Sequence, residues 1–329
     1  MARTPEVTTD PDRAVAVLRE GGLVAIPTET VYGLAADARD AAAVTRVFEV
    51  KGRPGDHPLI VHVAGPDDVD AWAAEVPESA RRVTDRWWPG PLTVLLRRRP
   101  EVLEAVTGGR PTVALRAPAH PLTRAVLAAF GGGLVAPSAN RFGRVSPTSA
   151  ADVIDELGAA VDLVLDGGPC EVGVESTIVD LTGPAPVVHR RGAVTPEELA
   201  EELGVDVQVS GPGAAVVAPG MLASHYSPDA RVVVLDPAVS DVEVVEQVAG
   251  HLVEVAGVGV LAPRPVAGLP VGTTELDPAG APDDYARVLY SRLREADALG
   301  LDRLVVVPPP EDGIGAAVHD RLSRAAQRV

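Results

Sequence analysis

The sequence predicts an α/β protein of two domains, with a mixed sheet in the first. Three observations carry that expectation. Short apolar runs of strand length, bounded by Gly and Pro, recur between segments of helical spacing. Several of these runs follow one another with no helix between them, which a purely parallel sheet does not allow. A Gly-, Pro- and Ser-rich stretch over 204–229 then separates a second α/β pattern from the first.

Each element has its own justification. Asp10-Pro11 caps a helix whose apolar positions are Ala14, Val15, Val17 and Leu18, and Gly21-Gly22 stops it. A buried strand over 23–26 follows and ends at Pro27. Further along, a helix is expected over 41–50, a strand over 59–63, helices over 69–74 and 80–87, and a strand over 92–96. Strands over 112–115, 134–136, 163–165, 178–181 and 187–189 and helices over 122–130 and 150–157 complete the first pattern. Thr195 begins one more helix, with Glu198 spaced for a capping box. After the Gly/Pro stretch, strands over 231–235, 258–261 and 304–307 alternate with helices over 241–253, 283–298 and 314–327. The expected division is a domain over 1–204, a linker over 205–229 and a smaller three-layer α/β domain over 230–329.

Composition excludes several classes of function. A hydrophobic fraction of 46% is too high for a disordered chain. A net charge of −17 argues against binding nucleic acid over the whole surface. The charge is uneven, however. Residues 51–150 hold 13 Lys/Arg against 9 Asp/Glu, whereas 201–329 hold 9 against 19, so a local anion pocket in the middle of the chain is expected. The single cysteine, Cys170, rules out an intramolecular disulfide and a multi-cysteine zinc site, and suits a reducing cytosol. No run approaches the roughly 18 apolar residues of a membrane helix, and no apolar signal region opens the chain. A soluble cytoplasmic protein is the expectation. Gly-x-Gly-x-x-Gly, Walker and His-Glu-x-x-His patterns are all missing.

Lys51 is the only lysine of the chain; every other cation is arginine. An ammonium is a compact point charge and a guanidinium a flat fork, so Lys51 two residues from Arg53 points to two anionic targets of different shape. Several strands also end in polar residues that a structural strand does not need. They are Pro27-Thr28-Glu29-Thr30, Arg116, Pro137-Ser138-Ala139-Asn140 with Ser146, and Glu175-Ser176-Thr177. Ligands in open α/β sheets gather where strand ends meet loops. Taken singly these residues are ordinary: Ser and Thr are turn formers, and a histidine such as His62 sits in many sheets. The combination carries the argument.

That combination resembles a known family. Ile26-Pro27-Thr28-Glu29-Thr30-Val31-Tyr32-Gly33, Lys51-Gly52-Arg53-Pro54 with His57-Pro58-Leu59, Trp88-Pro89-Gly90-Pro91-Leu92-Thr93, Leu115-Arg116-Ala117-Pro118, Ala136-Pro137-Ser138-Ala139-Asn140 and Gly173-Val174-Glu175-Ser176-Thr177 look like the motif series of the YrdC-like L-threonylcarbamoyladenylate synthases. Pro219-Gly220-Met221, His225-Tyr226-Ser227-Pro228 and His319-Asp320-Arg321-Leu322 resemble its longer, two-domain branch.

The resemblance implies a twisted mixed sheet with a concave cleft, followed by a Rossmann-like accessory domain. It implies synthesis of threonylcarbamoyl-AMP from L-threonine, bicarbonate and ATP with release of pyrophosphate, and a downstream machinery that transfers the group to tRNA. Mg²⁺ would accompany the ATP, with no dedicated metal site in the protein. Membrane association and stable nucleic-acid binding are not expected. By matching motif positions, Thr30, His62, Arg116, Ala136 and Ser176 would hold threonine. Arg53, His57, Thr112, Ser138, Ser146, Arg190 and Tyr226 would hold ATP. Lys51, Arg53, Ser138 and Asn140 would form the catalytic tetrad, and the linker would close over the cleft as a lid. Two departures stand out. Arg191 follows Arg190 where the family often has Pro, so either arginine is a candidate for ATP. His319 also stands where Asn is expected.

Two competing readings are an RNA-binding module without catalysis and a carbamoyltransferase-type enzyme. Against the first stand the net charge and an aromatic set of only three Phe, four Tyr and three Trp. Against the second, one cysteine cannot build the zinc finger that accompanies such modules.

Overall fold

The structure is a computed structural model that describes residues 4–211 and 226–327. Met221, His225 and most of the expected linker lie outside the described residues. The chain divides into two compact units. Among the described residues the larger comprises 4–142, 146–171 and 175–211, and the smaller 143–145, 172–174 and 226–327.

The larger unit is built on an eleven-stranded sheet. Its strands are β1 (Glu6–Thr8), β2 (Val24–Ile26), β3 (Gly33–Asp37), β4 (Ile60–His62), β5 (Leu92–Arg97), β6 (Thr112–Arg116), β7 (Leu134–Val135), β8 (Leu163–Leu165), β9 (Thr177–Asp180), β10 (Val187–Arg190) and β11 (Gln208–Val209). Their spatial order is β1-β8-β2-β3-β7-β4-β6-β5-β9-β10-β11, with parallel and antiparallel neighbours mixed. The helices are α1 (Pro11–Arg19), α2 (Ala41–Lys51), α3 (Glu78–Trp87), α4 (Glu104–Thr107), α5 (Pro121–Phe130), α6 (Ala150–Leu157) and α7 (Pro196–Leu203).

Local chemistry sets the helix ends. The Asp40 carboxylate accepts from the amides of Ala42 and Ala43 to start α2, and Gly52, at φ +60°, stops it, leaving Lys51 in the last turn. The expected capping box of Thr195 and Glu198 is present. Where a helix was expected over 69–74, a 3-10 turn occupies Pro66–Ala71 instead, and Ala73 bridges to Arg98. Pro66 and two aspartates start that turn early, and pairing of Ala73 ends it.

The two faces of the sheet are covered differently. On one face, Leu34, Val61, Val94, Val113, Leu115 and Val179 pack with Val44 and Val47 of α2, Val83 of α3, Val153 of α6 and Leu199 of α7 in the main core. On the other face α1 and α5 cover only one half, packing on Val24, Ile26, Ala35, Leu134 and Leu163. The remaining half carries a separate cluster of four, Ile60, Leu95, Ala114 and Ile178. Side chains alternate along a strand, so Thr112 and Arg116 share this half-face with Ala114. Register places His62 beside Arg116, and Ile178 beside Thr93. The polar strand ends thus frame a small apolar floor.

The smaller unit has a parallel sheet of β12 (Arg231–Val234), β13 (Val258–Leu261), β14 (Thr273–Glu275) and β15 (Arg303–Val306), ordered β12-β15-β13-β14. Its helices are α8 (Asp241–Glu254), α9 (Pro282–Ala298) and α10 (Gly315–Ala326). Val244 and Val248 of α8 pack with Val258, Val260 and Val305 on one face. Alternation turns Leu304, Val306 and Leu261 to the opposite face, and all three are buried there as well. This is the three-layer arrangement that alternating strands and helices predict.

Candidate functional site

Arg116 ends β6, and its guanidinium is buried. Nη2 donates to Oε1 of Glu29 at 2.6 Å, Nη1 to the hydroxyl of Thr30 at 2.8 Å, and Nε to the carbonyl of Gly90 at 3.3 Å. A guanidinium has five N–H donors. Three are taken, which leaves one on each terminal nitrogen without a partner among the described residues. Two donors left on one guanidinium can serve an incoming carboxylate. Glu29 is itself held, because Oε2 accepts from the amide of Ala119. Glu29 was legible in its motif but had no role there. Its function is to balance the charge of Arg116, a pairing across 87 positions that no sequence pattern shows.

His62 lies next to Arg116 in register. Burial, with Arg116 and then Arg190 adding, pushes its pKa down to about 3 against a backbone contact at Ile60, so the ring is neutral. Its Nδ1 is buried with no hydrogen-bond partner among the described residues. Ser176 opens the approach to β9. Its hydroxyl lies 2.7 Å from that of Thr93 and accepts from Nη2 of Arg190 at 3.0 Å, while Nε of Arg190 donates to the Ser176 carbonyl. Gly192 is required nearby, since a Cβ there would fall on the amide of Thr177. Glu175, a second carboxylate without an expected role, accepts from Ser146 at 2.7 Å.

A second cluster surrounds Lys51. Its Nζ donates to the carbonyls of Ser138 and Asn140, each at 2.5 Å. The ammonium therefore ties the end of α2 to the loop after β7. Burial holds its pKa well below the usual lysine range, Arg53 adds to the fall, and Glu156 opposes it. Gly33 pairs with Ser138 as an isolated bridge, and a Cβ at Gly33 would press on Ala136 at 3.0 Å. Nη2 of Arg53 donates to the carbonyl of Pro58, and the His57 ring lies against Phe142 at 5.4 Å. Partial burial and Arg53, with Arg110 adding and Asp56 opposing, lower the His57 pKa.

The expected threonine residues Thr30, His62, Arg116 and Ser176 thus converge on one end of the half-face, and Ala136 adjoins β4, its backbone N–H donating to the carbonyl of Ile60. Lys51, Ser138 and Asn140 are joined directly. Thr112 sits about 13 Å from Arg116, four residues back along β6 at roughly 3.3 Å each. Arg190 is buried and bonded to Ser176, whereas Arg191 is half-buried. Tyr226 belongs to the smaller unit, where it is buried.

Comparison with known proteins decides the family. The family described as "Telomere recombination", that of Sua5, YciO and YrdC, matches residues 16–192. The family described as "Threonylcarbamoyl-AMP synthase, C-terminal domain" matches 194–327. The chain belongs to the Sua5/YciO/YrdC family. It is 38% identical over 323 residues to the threonylcarbamoyl-AMP synthase of Pyrococcus abyssi, covering 95% of this chain and 93% of the relative. To the Bacillus subtilis enzyme of the same name it is 36% identical, covering 97% and 94%. Among solved structures it resembles P. abyssi Sua5 complexed with L-threonine, with a TM-score of 0.90 at 36% identity over 99% of this chain and 98% of that one. The Sua5 family's mixed sheet and second, parallel-sheet domain are both present. No described helix is long and apolar enough to cross a membrane.

Proposed function

We propose that this chain synthesises threonylcarbamoyl-AMP for tRNA modification, with catalysis in residues 1–204. Bicarbonate and the amino group of L-threonine form a carbamate with loss of water. A carbamate oxygen then attacks the α-phosphorus of ATP, the bond to the β-phosphate oxygen breaks, and pyrophosphate leaves. The observation that carries this reading is the buried Arg116 fork, charge-balanced by Glu29 and still holding one donor on each terminal nitrogen. That is a site for the carboxylate of an amino acid. Neutral His62 and the Ser176 hydroxyl offer contacts for its side-chain hydroxyl, and Ala136 bounds the pocket.

Arg53, His57, Thr112, Ser138, Ser146 and Arg190 are assigned to ATP. Lys51, Arg53, Ser138 and Asn140 act at the phosphates. Lys51 fixes the loop that presents Ser138 and Asn140; the anionic phosphates of ATP beside it would favour its charged form, which stabilises the pentacoordinate phosphorus. Among the described residues no group of three His, Cys, Asp or Glu could hold a metal ion, and both buried carboxylates of this site are engaged by hydrogen bonds. Mg²⁺ is assigned to the substrate, as the magnesium salt of ATP, because it binds readily through phosphate oxygens and water, and no step is routed through a protein-held ion.

The test is pyrophosphate release from ATP that requires both L-threonine and bicarbonate. Carbamoyl phosphate supporting turnover in their place would favour a carbamoyltransferase. Arg116→Ala should raise the KM for threonine by about tenfold or more while that for ATP moves less, since a charge-assisted bond is worth about 1.5–3 kcal/mol. Equal changes for both substrates would remove Arg116 from the threonine site.

A further inference from the structure

Strand β10 breaks the alternation that the rest of the sheet keeps. Val188 packs into the main core, beneath the helices. Two positions later Arg190 should point the same way. It points to the opposite face instead, where it is bonded to Ser176 and pairs in register with Ile178 of the apolar floor. The reason is a β-bulge: Val188 pairs with Val179 and Arg190 with Ile178, so His189 is an extra residue. Its ring is clamped from both neighbouring strands. Nδ1 lies 2.6 Å from the hydroxyl of Ser210, which follows β11, and Nε2 lies 3.4 Å from Oδ2 of Asp180 on β9. Asp180 is fixed in turn by the amide and hydroxyl of Thr182.

We propose that His189 is a positioning residue for the reaction: tied to Asp180 and Ser210, it holds the bulge that turns Arg190 onto Ser176 and the substrate face. Without the bulge a guanidinium at 190 would have to enter the apolar core. The inference rests on the assignment of Arg190 to ATP given above, and it adds a residue that touches no substrate.

Two measurements on the full-length protein decide it. The first is the kinetics of pyrophosphate release by His189→Leu, His189→Gln, Arg190→Ala and the double variant His189→Leu/Arg190→Ala. His189→Leu should raise the KM for ATP about tenfold with kcat within about twofold. In His189→Gln an amide reaches the Nε2 position, so it should recover most of that loss. The double variant should be no worse than Arg190→Ala, because a residue acting through another shows no separate effect once its target is gone. A wild-type KM for His189→Leu beside an impaired Arg190→Ala, or losses that multiply in the double variant, would overturn the inference. The second measurement is amide hydrogen exchange over 187–191, which should quicken about tenfold or more in His189→Leu. Unchanged protection there overturns the inference whatever the kinetics. An Arg190→Ala enzyme with unaltered kinetics removes the ATP assignment instead, and the exchange result then judges the bulge by itself.

Discussion

The two units bury different interiors. In the larger, Thr28, Glu29, Thr30, Lys51, His62, Thr93, Arg116, Asn140, Ser146, Glu175, Ser176 and Arg190 are all buried. In the smaller, Arg321 is the one buried charged or polar side chain among the described residues, and the rest of its core is Val, Leu, Ala and Tyr. Burying polar groups costs stability unless each is paired, and burying charge costs more. A unit that buries so many holds them for another reason. The pairs are Arg116 with Glu29, Lys51 with two carbonyls, Ser146 with Glu175 and Arg190 with Ser176. Each fixes one side chain of the site before substrate arrives, which lowers the reorganisation left for the reaction. The smaller unit has the economy of a scaffold.

The sharpest way to break this contrast is Lys51→Arg. If the buried polar groups are built for function, shape should matter as much as charge. The Lys51 ammonium meets two carbonyls at 2.5 Å in a fully enclosed space, and a planar guanidinium cannot converge on both. Pyrophosphate release should fall by about a hundredfold, close to the loss in Lys51→Ala. Near-normal turnover in the Arg variant would mean that any cation serves, and that the site is less preorganised than its burial suggests.

His62 sharpens the comparison through pH. Its pKa lies near 3 in the folded unit and near the ordinary histidine value when unfolded. As pH falls below about 6.5 the unfolded chain takes up a proton that the folded one refuses, so this contribution is complete above that pH and is lost on acidification. One proton corresponds to about 1.4 kcal/mol per pH unit. Between about pH 6.5 and about pH 4.5 the wild type should therefore lose about 2–3 kcal/mol more than His62→Gln in chemical denaturation. Identical acid slopes would show that His62 is charged in the fold.

How much of this was legible in the sequence depends on the distance over which each feature is encoded. Strand ends were legible because Pro, Gly, Thr and Ser mark them locally, as at Pro27-Thr28 and Pro137-Ser138. The capping box at Thr195 and Glu198 spans only four residues and was read in full. Strand β3 was not, because Gly33-Leu34-Ala35-Ala36-Asp37 has little intrinsic strand preference and is held by pairing with β2 and β7. The Glu29–Arg116 pair and the clamp on His189 join residues from different strands, and no periodicity reports them. The face that Arg190 takes was open in the sequence for the same reason: a bulge, not the local pattern, turns it onto Ser176.

The smallest expected effect tests the other side of the comparison, in the smaller unit. Arg321 is fully buried on α10, 2.6 Å from Asp320, and its guanidinium lies 5.4 Å from the centre of the Tyr226 ring. Tyr226 stacks on Tyr290 at 5.6 Å and holds a left-handed backbone at φ +63°, a conformation that costs a bulky residue of order 1–3 kcal/mol. Packing on both sides of the ring offsets that cost. Arg321→Lys keeps the charge and loses the flat face. It should lower the stability of the smaller unit by about 1 kcal/mol, the usual worth of such a cation–ring contact, while pyrophosphate release stays within about twofold. If this unit is only a scaffold, stability moves and catalysis does not. A tenfold or greater loss of turnover with unfolding unchanged would show the opposite, because the Tyr226 stack would then be serving the reaction rather than the fold.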